Sequence, residues 1–203
     1  DAEQLILNIR NAYRSGNMDD ALANAKKLVT NYSDAYEPYV WLGFVQSDRH
    51  EIGDAIISLK KAIELNSDCY EAYNTLMGHH IAAGNQVMLP EEKRDIELGM
   101  KYGDELIRIR GDHGSPYHFK ANVYRQLGEF EKAKPLYEKS IEKRKGLSSE
   151  STAYLVSGHN FMFSGDLKTA RERYAKAIEL TKTSDSWFNL NFYLLCSYMF
   201  DND

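Results

Sequence analysis

The chain has only four prolines in 203 residues, and its 13 glycines are scattered singly. No stretch reads as a Pro- and Gly-rich linker, so the length fits one or two ordinary domains or one continuous array. Cysteine is equally scarce. Cys69 and Cys196 lie far apart in no CxxC or other ligand spacing, each reads as a small buried hydrophobe, and neither sets the redox compartment. No apolar run reaches the roughly 18 residues of a membrane-spanning helix. No signal peptide is present either. The chain starts at Asp1 without a methionine, as a processed or cut product does. The compartment therefore stays open between the cytoplasm and, if a signal peptide was removed ahead of Asp1, the periplasm or beyond. An excess of positive charge is also missing: Lys and Arg number 25 against 30 Asp and Glu, a net charge of −5. Without a basic stripe the expectation is no nucleic-acid partner. The densest basic cluster, Lys143-Arg144-Lys145, falls where a helix should end and cations complement the carbonyl end of its dipole.

What is present is helical periodicity from end to end, in a chain 43% hydrophobic and 27% charged, as a packed protein requires. The pattern repeats. Tyr39, Tyr73, Tyr117 and Tyr154 each open a helical segment, followed by Gly43, Met77, Ala121 and Gly158 as helix-packing residues. Gly84, Gly128 and Gly165 then stand where a tight turn needs positive φ, with His50 and Gly16 in the corresponding places of the second and first units. A second helix carries a small residue near its start at Ala21, Ala55, Gly99, Ala133 and Ala170. Larger residues follow on the same face, among them Leu28, Leu59, Leu106, Tyr137 and Tyr174. Tyr39 to Tyr73 and Ala21 to Ala55 are both 34 residues apart.

That period and those positions resemble the tetratricopeptide repeat. The clearest stretches are 39-YVWLGFVQSDRHEIGDAIISLKKAIELN-66, 117-YHFKANVYRQLGEFEKAKPLYEKSIE-142 and 154-YLVSGHNFMFSGDLKTARERYAKAIEL-180. The resemblance covers nearly the whole chain, in units 2–35, 36–69, 70–113, 114–150 and 151–184, followed by a helix over 185–200. It implies an all-α fold, a right-handed α-α superhelical solenoid of about five hairpins plus a C-terminal helix. Departures are local. The proline that often closes a repeat is replaced by Ser33, Ser67, Gly111, Lys145 and Lys182, and Leu5 and Ile9 weaken the first unit. Residues 85-NQVMLPEEKR-94 interrupt the third unit. Pro90 with Glu91 and Glu92 suits a helix start, which predicts a short loop and a lengthened second helix running to about Ile109.

The resemblance also implies a concave face lined by the first helices, where a peptide or protein partner is held. Carried over residue by residue, that face contains Arg10, Tyr13, Arg14, Phe44, Ser47, Asp48, Asn74, Ile81, His118, Asn122, Arg125, His159, Met162 and Phe163. Asn and Arg can pair with peptide groups, and Phe44 and Met162 can take apolar side chains. The polar Asn122 and Arg125 read as the residues most surely on the surface. The set of Lys, Asn and Arg with which some relatives clamp a terminal carboxylate is missing, Trp41, Glu71 and Thr75 standing in its places. No metal is expected: His79 and His80 are adjacent on a helix and point about 100° apart, and nothing completes a site around His118 and His159. No phosphate loop, nucleophile elbow or HExxH occurs, so no catalytic residue, cofactor or enzyme activity is expected.

The run 187-WFNLNFYLLCSYMF-200 is apolar or aromatic at eleven of fourteen positions, all round the helix, and predicts burial on all sides. It reads either as the first helix of a further unit or, through Trp187, Phe188, Phe192, Tyr193 and Phe200, as a surface for a second copy or another partner. The leading function is a scaffold or adaptor holding a protein or peptide in the groove, without membrane insertion. The alternatives are a sensor or regulatory part of a larger multidomain protein, or a structural homo-oligomer formed through the last helix.

Overall fold

Short amphipathic helices joined by left-handed turns are what this repeat should build. A computed structural model describes residues 1–81, 93–181 and 184–199, with side chains of the last stretch from 191 onward. Among the described residues there are eleven helices and no strand. They fall into two compact units, Asp1–Ile109 and Arg110–Asp203. The first holds α1 (Ala2–Ser15), α2 (Met18–Asn31), α3 (Glu37–Asp48), α4 (Ile52–Leu65), α5 (Tyr70–His80) and α6 (Ile96–Arg110). The second holds α7 (Gly114–Gln126), α8 (Phe130–Arg144), α9 (Glu150–Phe163), α10 (Leu167–Leu180) and α11 (Ser184–Met199).

The local signals explain the boundaries. Asp1, Asn17 and Asp166 each accept a hydrogen bond from a backbone N–H three residues on, at 2.8, 3.1 and 3.1 Å, satisfying donors that an α-helix leaves open at its start. Between the helices of a hairpin the chain turns through positive φ at Gly16, Gly128 and Gly165, at 71°, 74° and 85°. His50 takes the same conformation at 63°, at a cost of about 1 kcal/mol for a residue with a Cβ. Gly84 lies outside the described residues. The third unit departs from expectation. Its second helix is not lengthened: α6 has 15 residues against 14 in α4, and it starts at Ile96 with Asp95 accepting from Leu98 N at 2.9 Å. An N-terminal cap at Asp95 ends the interruption, so the added chain lies ahead of the helix; Pro90, Glu91 and Glu92 are outside the described residues.

Hairpins close because a small residue on one helix lets a large one on its partner approach. Ala21, Ala55, Ala133 and Ala170 are fully buried, and Gly99 is buried with them. On the other side, a Cβ added to Gly43 would lie 2.6 Å from Leu59, and one added to Gly158 would lie 2.6 Å from the ring of Tyr174. Leu59, Tyr137 and Tyr174 are themselves out of reach of water. Burial of each such side chain contributes roughly 1.5–3 kcal/mol. Each hairpin then shares its second helix with the next: α2 with α3, α4 with α5, and, in the other unit, α8 with α9. The last helix differs from expectation. Tyr193 and Leu194 join the Phe161, Ala170 and Tyr174 cluster and Ser197 is buried, but Phe192, Leu195, Tyr198 and Met199 are exposed. The α9–α10 hairpin covers only one face of α11, so its described side chains are not buried all round.

Two glycines separate packing from propensity. Gly158→Ala pushes a methyl into the fixed Tyr174 ring and costs about 1–3 kcal/mol, visible as a lowered Tm. Gly53→Ala, with nothing within 4 Å of the new Cβ, raises stability by about 0.5–1 kcal/mol. Equal melting of Gly158→Ala and wild type contradicts the hairpin packing described here.

Candidate functional site

In the first unit, the helices α1, α3 and α5 present one common surface, because α2 and α4 lie behind them. It contains a pocket of about 560 Å³ lined by Arg10, Tyr13 and Arg14 from α1, Trp41, Phe44, Ser47 and Asp48 from α3, and Asn74, Thr75 and His79 from α5. Its floor is tied down. The Ser47 hydroxyl donates to Gly43 O at 2.7 Å and lies 3.0 Å from Nε2 of the buried His79. Burial and then the neighbouring Asp48 carboxylate hold the Tyr13 phenol well above its ordinary range, so it stays protonated. Trp41 and Phe44 meet edge to face at 6.2 Å, and the Arg10 guanidinium lies 5.5 Å over the Trp41 ring. The far side of the same two rings faces a smaller hollow of about 220 Å³ bounded by Tyr36, Glu37, Val40 and Glu71. An apolar wall thus stands between a cationic side and an acidic side.

The second unit uses its first helices differently. On α7, Asn122 gives its amide N–H to, and shares a 3.0 Å contact with, Nε2 of His118, and its amide oxygen accepts from the Tyr137 hydroxyl at 2.7 Å. Nε of Arg125 donates to the same hydroxyl at 3.2 Å. This chain of bonds runs between the helices of one hairpin, so the amide of the half-buried Asn122 is engaged within the fold. Arg125 keeps its outer edge open and lies 5.7 Å over the exposed ring of Phe163 on α9. His159 packs between Tyr193 and Tyr174, with ring centroids at 4.5 and 5.7 Å. Met162 receives the Tyr174 hydroxyl on its sulfur at 3.5 Å and, with Phe163, Gly165 and Leu167, bounds a hollow of about 350 Å³.

The structure therefore brings Arg10, Tyr13, Phe44, Asp48 and Asn74 to one pocket, and sets His118, Asn122, Arg125, His159 and Met162 along another pair of helices. Ile81 belongs to neither: it is 3% exposed, at the end of α5, where its side chain fills the place a Cβ on Gly99 would need. A glycine on the facing helix draws it into the hairpin core. Of the C-terminal residues, Phe192 is exposed and Tyr193 packs inward on His159 and Tyr174. The side chains of Trp187 and Phe188, and all of Phe200, lie outside the described residues. Trp41 and Thr75, which stand where some relatives carry clamp residues, line the pocket; His79 joins them, although by sequence it is weighed only as a metal ligand. Among the described residues no three of His, Cys, Asp and Glu are grouped to hold a metal ion, and no helix is long and apolar enough to cross a membrane.

A family model described as tetratricopeptide repeat matches residues 115–142, the α7–α8 hairpin. A comparison with curated proteins finds no match. Solved structures are similar over most of the chain. A crystal structure of MamA is 26% identical, with a TM-score of 0.67, over 84% of this chain and 92% of that one. Pseudomonas aeruginosa pilF, at 16% identity, has a TM-score of 0.72 over 98% of this chain and 84% of its own. YrrB, a tetratricopeptide protein with an unusual peptide-binding site, is 16% identical, with a TM-score of 0.63, over 87% of this chain and 83% of that chain. The last two likenesses speak to the fold alone.

The histidines of the second unit give it a pH dependence. Burial, then Arg144 and Arg125, lower the pKa of His118 from 6.5 to about 4; burial, then Arg125, does the same for His159. Both pKa values are depressed on folding, so their stabilising contribution is complete above about 6.5, declines as pH falls toward about 4, and then levels. At about pH 5 the loss is on the order of 2 kcal/mol per histidine. Denaturant titrations across this range should show that slope, and His118→Gln/His159→Gln should flatten it. An unchanged slope in the double variant contradicts the assignment.

Proposed function

The chain is a tetratricopeptide-repeat protein, and from that premise we propose that the surface formed by α1, α3 and α5 holds an extended segment of another protein. The repeat fold is that of a protein-interaction scaffold; the groove reading is finer than that. It rests on one observation: Arg10, Tyr13, Trp41, Phe44 and Asn74 converge from three helices on one pocket. Aromatic and arginine side chains around a concavity are the groups that carry most of the energy in protein interfaces. Asn74 and Thr75 add hydrogen-bonding groups suited to a backbone. YrrB, with its unusual peptide-binding site, offers a precedent on this fold. The one hydroxyl beside an imidazole in the pocket, Ser47 next to His79, gives its proton to Gly43 O and both side chains are buried, which favours a binding role over chemistry.

The test compares captured proteins. Wild-type chain, Trp41→Ala and Ile57→Ala are used as baits against extract from the native organism, Ile57 being 68% exposed on the second helix α4. A groove partner is enriched by wild type and by Ile57→Ala, and falls about tenfold or more with Trp41→Ala. Equal capture by all three baits, with folding verified by circular dichroism, rejects the groove.

A second reading is favoured by α11, where Phe192, Leu195 and Met199 are 58%, 58% and 68% exposed along one helix face. We propose self-association through that face, since an apolar strip of this kind is seldom left in water. Sedimentation should then show a dimer that Leu195→Glu converts to monomer; a wild-type monomer at micromolar concentration rejects it.

A further inference from the structure

Three arginines of this chain are held by carboxylates. Arg49 pairs with Asp19 and Glu51 at 2.6 and 2.8 Å, Arg108 with Asp68 and Glu105 at 2.8 and 2.6 Å, and Arg173 with Glu138 at 2.6 Å. These partners come from second helices, turns and loop ends. Arg10 and Arg14 on α1 and Arg125 on α7 differ: among the described residues none of the three meets a carboxylate at ion-pair distance. The chain has 30 acidic residues to 25 basic ones, so carboxylates are not in short supply. Arg10, Arg14 and Arg125 stand on first helices, in or beside the surfaces described above.

Two of them are also held ready. Arg10 lies 5.5 Å over Trp41, and Arg125 lies 5.7 Å over Phe163. In each unit, then, an arginine of one first helix rests on an aromatic ring of the next. Stacking restrains the guanidinium plane while its N–H edge stays open, a combination that lysine cannot supply. Nε of Arg125 is taken by Tyr137, which leaves the terminal N–H groups, and two parallel N–H groups match the two oxygens of a carboxylate. Arg14 stands one helical turn from Arg10 and lines the same pocket.

Resting on the groove reading, we infer that the segment held by the first unit is acidic, its Asp or Glu carboxylates meeting Arg10 and Arg14 with apolar side chains against Trp41 and Phe44; Arg125 beside Phe163 gives the second unit a carboxylate site of the same kind. The acidic groups belong on the α1 side of the Trp41–Phe44 wall, because Glu37 and Glu71 border the other side. That polarity, with Asp48 in the pocket itself, favours a peptide of spaced carboxylates. An unbroken row of phosphates would meet like charge.

The test uses the full chain and labelled pools of short peptides. One pool interleaves Leu, Phe and Tyr with Asp and Glu, the second with Asn and Gln, and the third with Lys and Arg; an oligothymidylate of similar length is the fourth probe. Fluorescence anisotropy should show the acidic pool bound about tenfold more tightly than its amide counterpart, and less tightly as salt is added. Arg10→Gln/Arg14→Gln removes most of that preference, Arg125→Gln part of it, and Arg173→Gln, on the second helix α10 and already paired with Glu138, none. Melting curves establish that the variants are folded. The inference is overturned if the amide pool, the basic pool or the oligonucleotide binds as tightly as the acidic pool, or if the arginine variants keep the preference. Amide-pool binding that Trp41→Ala abolishes would overturn the acidic preference and leave the groove standing; no binding by any pool would overturn both.

Discussion

Two helices can share a core only as closely as their thinnest contact allows, and in this chain that contact sets the rest. Gly43 meets Leu59, and Gly158 meets the ring of Tyr174, at distances that leave no room for a methyl group. Ala21, Ala55, Ala133 and Ala170 provide the same thinness on the second helices. Once a large side chain is seated on a small one, the angle and depth of the hairpin follow from close packing. Within each unit the second helices α2, α4 and α8 are then fixed behind their first helices and against the next first helix, and the opposite sides of the first helices are left open.

That asymmetry governs where polar groups can go. Behind the first helices, hydrogen bonds are internal: the Ser58 hydroxyl donates to Gln46 at 2.7 Å, and Tyr137 reaches Asn122 at the same distance. Such buried bonds specify one arrangement, because breaking one leaves its partner without water to replace it. In front, the charges are held by rings instead of by opposite charges, as with Arg10 on Trp41 and Arg125 on Phe163. The two depressed histidines lie where the internal and open sides meet, near Arg125 in both cases. The arginine proposed to meet a partner in the second unit is thus also one that lowers both histidines.

Much of the fold was readable because the repeat places the same demand at the same position. Positive φ was expected at Gly16, His50, Gly128 and Gly165 and is found at all four, and the small residues opening the second helices are buried as a shared packing rule requires. Where a local feature decides, the reading fared less well. Pro90 suggested a longer helix, but Asp95 caps α6 and starts it later. Ile81 looked like a groove residue by its register, yet the opposing Gly99 gives it a core site. Asn122 looked exposed by its polarity, and only the position of Tyr137 on the neighbouring helix shows its amide to be spoken for. Residue type and spacing carry which face a side chain is on; they do not carry what stands opposite it.

The central claim is that the open sides of the first helices, and not the outer second helices, meet the partner. The most direct measurement is site-specific photo-crosslinking in the native cell, with the reactive residue at Thr75, which lines the pocket, or at Ile57, which is 68% exposed on α4. The account predicts a discrete adduct from position 75 and none from position 57. An adduct from position 57 alone would contradict it.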